Sequence, residues 1–183
     1  PPSQRPPLEE ARGSLTQIAG HGMRHYGTPE QQPEIMLSLH RAQRFTAAQE
    51  ATLLEDLVFG LRGAVTTSEG ESWRRTIADR QHPDGGWSAS PELESEAYST
   101  GQALYILLDG AWPMTTDSRD AAVDYLLETQ AADGSWHVRT RSKPVQEWFD
   151  NGDPYDRDQF ISIAGTAWAT AALATGLPRS PQT

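Results

Sequence analysis

Seven side chains clustered between residues 94 and 141 have the types needed for binding or proton chemistry. Glu94, Glu96, Tyr98, Gln102 and Tyr105 fall in or beside a helix predicted over Ser95 to Leu108. Glu94, Tyr98 and Tyr105 recur at four- and seven-residue steps, which places them near one helical face. Acids and aromatics on one face can hold a ligand. Arg139 and Arg141 follow further along the chain, and their guanidinium forks can pair with those acids or with an external carboxylate. The competing expectation is structural, with Glu96 and the arginines fastening a long loop to the body.

Three other groups carry weaker signals. His21 and His25 are four apart on a predicted helix, an acceptable metal-ligand spacing. No third ligand accompanies them and Arg24 lies between, so a solvated helix face is expected and no metal is assigned. Asp150, Asp153, Asp156 and Asp158 resemble an oxygen-ligand cluster, but no Glu follows at the twelfth position of an EF-hand loop, and an acidic turn is expected. The aromatics Trp148, Phe149, Tyr155 and Phe160 in the same stretch suggest that it folds over something, with Trp148 and Phe149 as candidate partner contacts.

The elements that position these groups read as helical. Apolar residues at three- and four-residue steps predict a helix from Leu8 to Tyr26, which Gly20 and Gly22 weaken unless another helix packs closely there. A second helix begins after Thr28-Pro29 and ends near Thr46, and a third carries Leu53 to Leu61. A short polar helix spans Ser68 to Arg80. After the helix of Ser95 to Leu108, Asp117 caps another over Ser118 to Gln130. His137 to Asp158 reads as irregular. A last helix, Gln159 to Thr175, is rich in Ala and Gly and is expected to be wedged between neighbours. About seven helices and no strands result.

Bulk properties narrow the function classes. The 183 residues suit one domain, with a formal net charge of −10 that opposes nucleic-acid binding. There is no cysteine, so disulfides, thiolate zinc sites and a cysteine nucleophile are excluded, and no cofactor is expected. No apolar run is long enough to span a membrane. Residues 1–7 form a Pro-rich arm, 8–177 the domain and 178–183 a tail. An opening without methionine fits removal of a secretory signal, so a periplasmic or secreted location is expected, with a cytoplasmic one left open.

Two copies of one motif organise the whole. Gln81, Asp84, Gly85 and Trp87 recur as Gln130, Asp133, Gly134 and Trp136, with the tryptophans 49 residues apart. That period argues for stacked units of paired helices. The glutamine can bind carbonyls at a helix end, Asp-Gly is a turn pair, and the tryptophan N–H needs an acceptor.

These motifs resemble the QW repeats of the squalene–hopene cyclase and prenyltransferase superfamily. The likeness is strongest to the C-terminal repeat region of bacterial squalene-cyclase-like proteins. Glu94 to Tyr105, Asp133 to Arg141 and Asp158-Gln159-Phe160-Ile161-Ser162 share in it. The resemblance implies an all-α fold of stacked helix pairs forming a short or partial α/α toroid, whose inner helices line a cavity. It implies an isoprenoid substrate only for the enzymes, and this chain departs from them. It has no Asp-x-Asp-Asp acid signature and no Cys for the prenyltransferase zinc set, and a complete ring has about twelve helices. The expected function is a non-catalytic binding or scaffold domain, an accessory subunit contacting other proteins. The alternatives are a divergent terpene cyclase using Glu96 or Asp158 as acid, and a binder of small polar ligands using Tyr98, Tyr105 and the arginines. A short ring also predicts an apolar flank, which either closes differently or is covered by another chain.

Overall fold

A computed structural model describes residues 13–47, 51–64, 67–110, 112–142 and 149–176. The Pro-rich arm, the tail, the predicted start of the first helix and Trp148 lie outside them. Seven α-helices and no strand occur among the described residues: α1 (Ser14–Tyr26), α2 (Gln32–Ala47), α3 (Leu54–Gly63), α4 (Thr67–Ala78), α5 (Ala97–Asp109), α6 (Thr116–Thr129) and α7 (Gln159–Gly176). Single 3₁₀ turns at Pro29–Gln31 and Asp156–Asp158 lead into α2 and α7.

Contacts between helices arrange them in a row with attachments. Helix α1 packs on α3, α3 on α5 and α5 on α7, while α2, α4 and α6 pack on α1, α3 and α5 respectively. The result is a stack of helix pairs. Its core holds Leu54, Leu57, Ile77, Trp87, Leu104, Leu107, Leu126, Trp136 and Val138, all nearly inaccessible to solvent.

The two motifs build the same turn twice. Each tryptophan indole donates to the carbonyl ten residues upstream, Trp87 to Ile77 at 2.8 Å and Trp136 to Leu126 at 2.7 Å. Each glutamine amide donates at 2.9 Å to the carbonyl of its own motif glycine, Gln81 to Gly85 and Gln130 to Gly134. Asp84 and Asp133 accept the amides of Gly86 and Ser135 at 2.9 and 3.0 Å. Gly85 and Gly134 supply left-handed backbone at φ 86° and 87°, which glycine adopts without a Cβ clash. A buried aromatic with its only donor satisfied thus closes each unit.

Both tryptophan amides then donate to a threonine on the following row helix, Trp87 to Thr100 of α5 at 2.9 Å and Trp136 to Thr166 of α7 at 3.0 Å. The threonine stands 13 residues on in the first unit and 30 in the second, so the second unit carries 17 extra residues before its helix. Thr100 and Thr166 are therefore equivalent, and residue n of α5 corresponds to residue n + 66 of α7.

Helix α4 ends at Ala78 rather than Arg80, and two helix starts differ from expectation through their caps. Helix α5 starts at Ala97 rather than Ser95, because the Glu96 side chain caps it by accepting the amides of Tyr98 and Ser99. Helix α6 starts at Thr116 because the Thr115 hydroxyl, not Asp117, accepts the Ser118 amide at 3.1 Å.

Candidate functional site

The predicted site residues divide into a buried group and a dispersed one. Glu96, Tyr98 and Gln102 are buried at the start of α5, together with two residues that sequence inspection did not single out, Ser14 of α1 and Glu55 of α3. The Tyr98 hydroxyl donates to Glu55 Oε2 at 3.4 Å, and the Ser14 hydroxyl is hydrogen-bonded to the same carboxyl. The N-terminal turns of α1, α3 and α5 thus converge on one polar cluster. Beside it, Asp56 Oδ1 accepts the Gly13 amide at 2.9 Å and so holds the first turn of α1.

Electrostatics in this cluster favour neutral acids. Burial pushes the Glu55 carboxyl up to about 8, with the Ser14 hydrogen bond opposing it. Burial also raises Glu96, against the hydrogen bonds from Ser99 and the positive charge of Arg141. Tyr98 is raised by burial and by the two glutamates. Glu96 Oε1 accepts the Ser99 amide at 3.0 Å and the Ser99 hydroxyl as well, while Oε2 accepts the Tyr98 amide at 3.1 Å. Those contacts make Glu96 the N-cap of α5. Two buried polar atoms among the described residues have no hydrogen-bond partner, Gln102 Oε1 and Arg141 Nη1.

The other candidates are dispersed. Glu94 precedes the cap and is exposed, so it shares no helical face with Tyr98, and Arg139 is exposed as well. Tyr105 lies two turns along α5 from Tyr98 and meets Trp168 of α7, with ring centroids 5.5 Å apart. Phe149 is exposed. Asp158 ties the long loop down: Oδ2 is 2.8 Å from His137 Nε2 and Oδ1 accepts the Thr140 amide at 2.9 Å. Tyr155 stacks on His137 at 4.8 Å and its hydroxyl meets that of Ser135 at 2.6 Å. Asp150, Asn151 and Asp153 each accept an amide two residues on, at 2.8 to 3.0 Å, which is the acidic turn expected. No group of three or more metal-binding side chains occurs among the described residues.

Helix α7 presents the other notable surface. It carries no charged residue, and Phe160, Ile163, Ala167, Thr170 and Ala174 line its solvent side at steps of three and four. Thr170 supplies the one hydroxyl of that stripe, and the other four residues are apolar. Phe160 is 58% and Ile163 46% exposed. A helix with no charged face normally has every side covered. Here the opposite side alone is wedged, with Gly165 against the Tyr98 backbone and Ala169 against Gly101.

The 66-residue correspondence relates Ile163, Ala167, Thr170 and Ala174 to Ala97, Gly101, Leu104 and Leu108. That is the face with which α5 packs on α7. A Cβ on Gly101 would fall 2.6 Å from the Ala169 amide nitrogen, and one on Gly176 would stand 3.6 Å from the Leu108 side chain. The exposed stripe of α7 is thus the counterpart of a helix-packing face one unit earlier, with threonine where α5 has Leu104.

No helix among the described residues is long and apolar enough to cross a membrane. No protein-family model matches the chain, and no curated protein matches it significantly.

Proposed function

We propose that the chain is a non-catalytic binding or scaffold domain, an accessory part of a larger protein assembly, built as a partial α/α toroid of the squalene-cyclase repeat kind. The observation that carries this is the stripe on α7, the counterpart of a helix-packing face, on which no helix lies among the described residues. Its occupant is a helix presenting small residues, as α7 itself presents Gly165 and Ala169 to α5. The kinship rests on the two matching Gln-x-x-Asp-Gly-x-Trp turns and the stacked pairs they close. Glu96 and Asp158, the two acids that a cyclase reading would use, are committed to a helix cap and to a loop anchor.

The chain lacks cysteine, so single thiols can be placed at will. Thr170→Cys, a near-isosteric change, should resist a soluble maleimide in permeabilised cells of origin and react freely in the purified chain. Leu15→Cys, on the exposed face of α1, should react in both. Equal labelling of the two positions in cells would contradict docking at α7.

A further inference from the structure

A second feature, independent of the α7 stripe, lies between α1, the C-terminal end of α3 and the middle of α7. A cavity of about 280 Å³ is lined by Gln17, Ile18 and His21 of α1, Phe59, Arg62 and Gly63 of α3, and Trp168 of α7. Helix α5 stands between α3 and α7 in the row, yet Trp168 reaches the same cavity as α1. The row therefore bends around this space.

Its lining has two parts of different chemistry. Phe59, Ile18 and the Trp168 indole form apolar walls, and Tyr105 supports the indole from α5. The polar groups can each donate: the Arg62 guanidinium donates only, while the Gln17 amide and the His21 imidazole offer an acceptor as well. Arg62 forms no ion pair with any described carboxylate, and protonation of His21 is opposed first by burial and then by the nearby Arg62 guanidinium. Gly63 leaves room for the Gln17 amide, which occupies the place where a Cβ at that position would stand. A guanidinium unpaired among the described residues, and an amide, at the edge of an apolar cavity in a chain of net charge −10 form a local exception to the surrounding charge.

We infer that this cavity binds a monocarboxylate with a short apolar body, an acyl or aryl acid, with its carboxylate on Arg62 and Gln17 and its body between Phe59 and Trp168. The planar guanidinium matches a carboxylate in a two-point contact. One fixed positive charge matches one negative charge, whereas a phosphate dianion would remain half uncompensated within an acidic protein. The volume lies at the lower edge of the range for ligand pockets, which favours ligands of roughly eight to eleven heavy atoms.

Octanoate and 3-phenylpropionate are suitable probes, with octanol as the neutral isostere and inorganic phosphate as the bare anion. Titration followed by amide and indole N–H chemical shifts should show saturable octanoate binding, with the largest changes at Trp168, Gly63 and Gln17. Arg62→Gln, on an exposed side chain, should leave the fold intact and weaken octanoate roughly ten- to hundredfold. Octanol binding as well as octanoate, unchanged affinity in Arg62→Gln, or no saturable shift with either acid would overturn the inference. Binding of phosphate with the same shifts would also overturn it, since the apolar walls would then play no part.

Discussion

Gly101 of α5 lies directly against the backbone of Ala169 of α7, where a Cβ would stand 2.6 Å from the amide nitrogen. The absent side chain sets how closely the two helices approach, and with it the position of everything beyond the second motif. Gly101→Ala should therefore destabilise the domain despite the higher helix propensity of alanine, by about 1–3 kcal/mol as in other overpacked cores. Urea unfolding measures this. A gain in stability would show that the helices can separate without loss.

The two motif glycines should respond differently to the same substitution. Both have φ near 87°, so alanine is strained at either position. At Gly85 a Cβ also runs into the Ala121 carbonyl, whereas at Gly134 its nearest neighbour is the Gln130 amide nitrogen at 3.8 Å. Gly134→Ala should cost about 1 kcal/mol and Gly85→Ala at least twice that. Equal losses would mean that α6 does not press on the first turn.

Stability should fall as the solution is made more alkaline. Glu55 has a carboxyl raised from 4.5 to about 8 by burial, so the folded chain holds a proton that the unfolded chain has lost in that interval. The stabilisation is complete below pH 4.5 and is lost as pH rises through about 8, and the raised Glu96 acts in the same direction. The lowered His21 opposes this below its ordinary 6.5, and the lowered exposed acids Glu30, Glu92 and Asp133 do so only at the acid end. Melting temperatures should therefore decline between about pH 5 and pH 8, and Glu55→Gln should flatten the decline. An unchanged slope in Glu55→Gln would assign the effect elsewhere.

Glu96 is expected to matter for the fold. Glu96→Ala strips three acceptor contacts from the start of α5 and should cost about 2 kcal/mol, within the upper range of cap losses, with Glu96→Gln intermediate. Were Glu96 instead a ligand-binding acid with no structural duty, chemical denaturation would find both variants within about 0.5 kcal/mol of the parent chain.

The helices were legible in the sequence because apolar spacing and turn residues are local signals. The role of each tryptophan N–H was legible too, since an indole buried by its size must still find an acceptor, and the end of the preceding helix offers one. Glu55 was not legible. An acid in the first turn of a helix is an ordinary complement to the dipole, and its burial comes from Tyr98, 43 residues away. Glu94 and Tyr98 share a face only if α5 starts before its cap, which it does not. Helix α7 was expected to be wedged between neighbours, for Ala167 and Ala169 look alike in sequence. Contact with Gly101 separates them, burying one and leaving the other in solvent.

Docking through the outer face of α7 is tested most directly by the native mass of the tagged chain isolated at natural expression level. The parent chain should run as a discrete assembly heavier than its own 20.1 kDa. Ala167→Glu should release it as a folded monomer, while Leu15→Glu on the exposed face of α1 should leave the assembly whole. A parent chain that is itself a lone monomer, or an assembly indifferent to Ala167→Glu, would contradict the proposal.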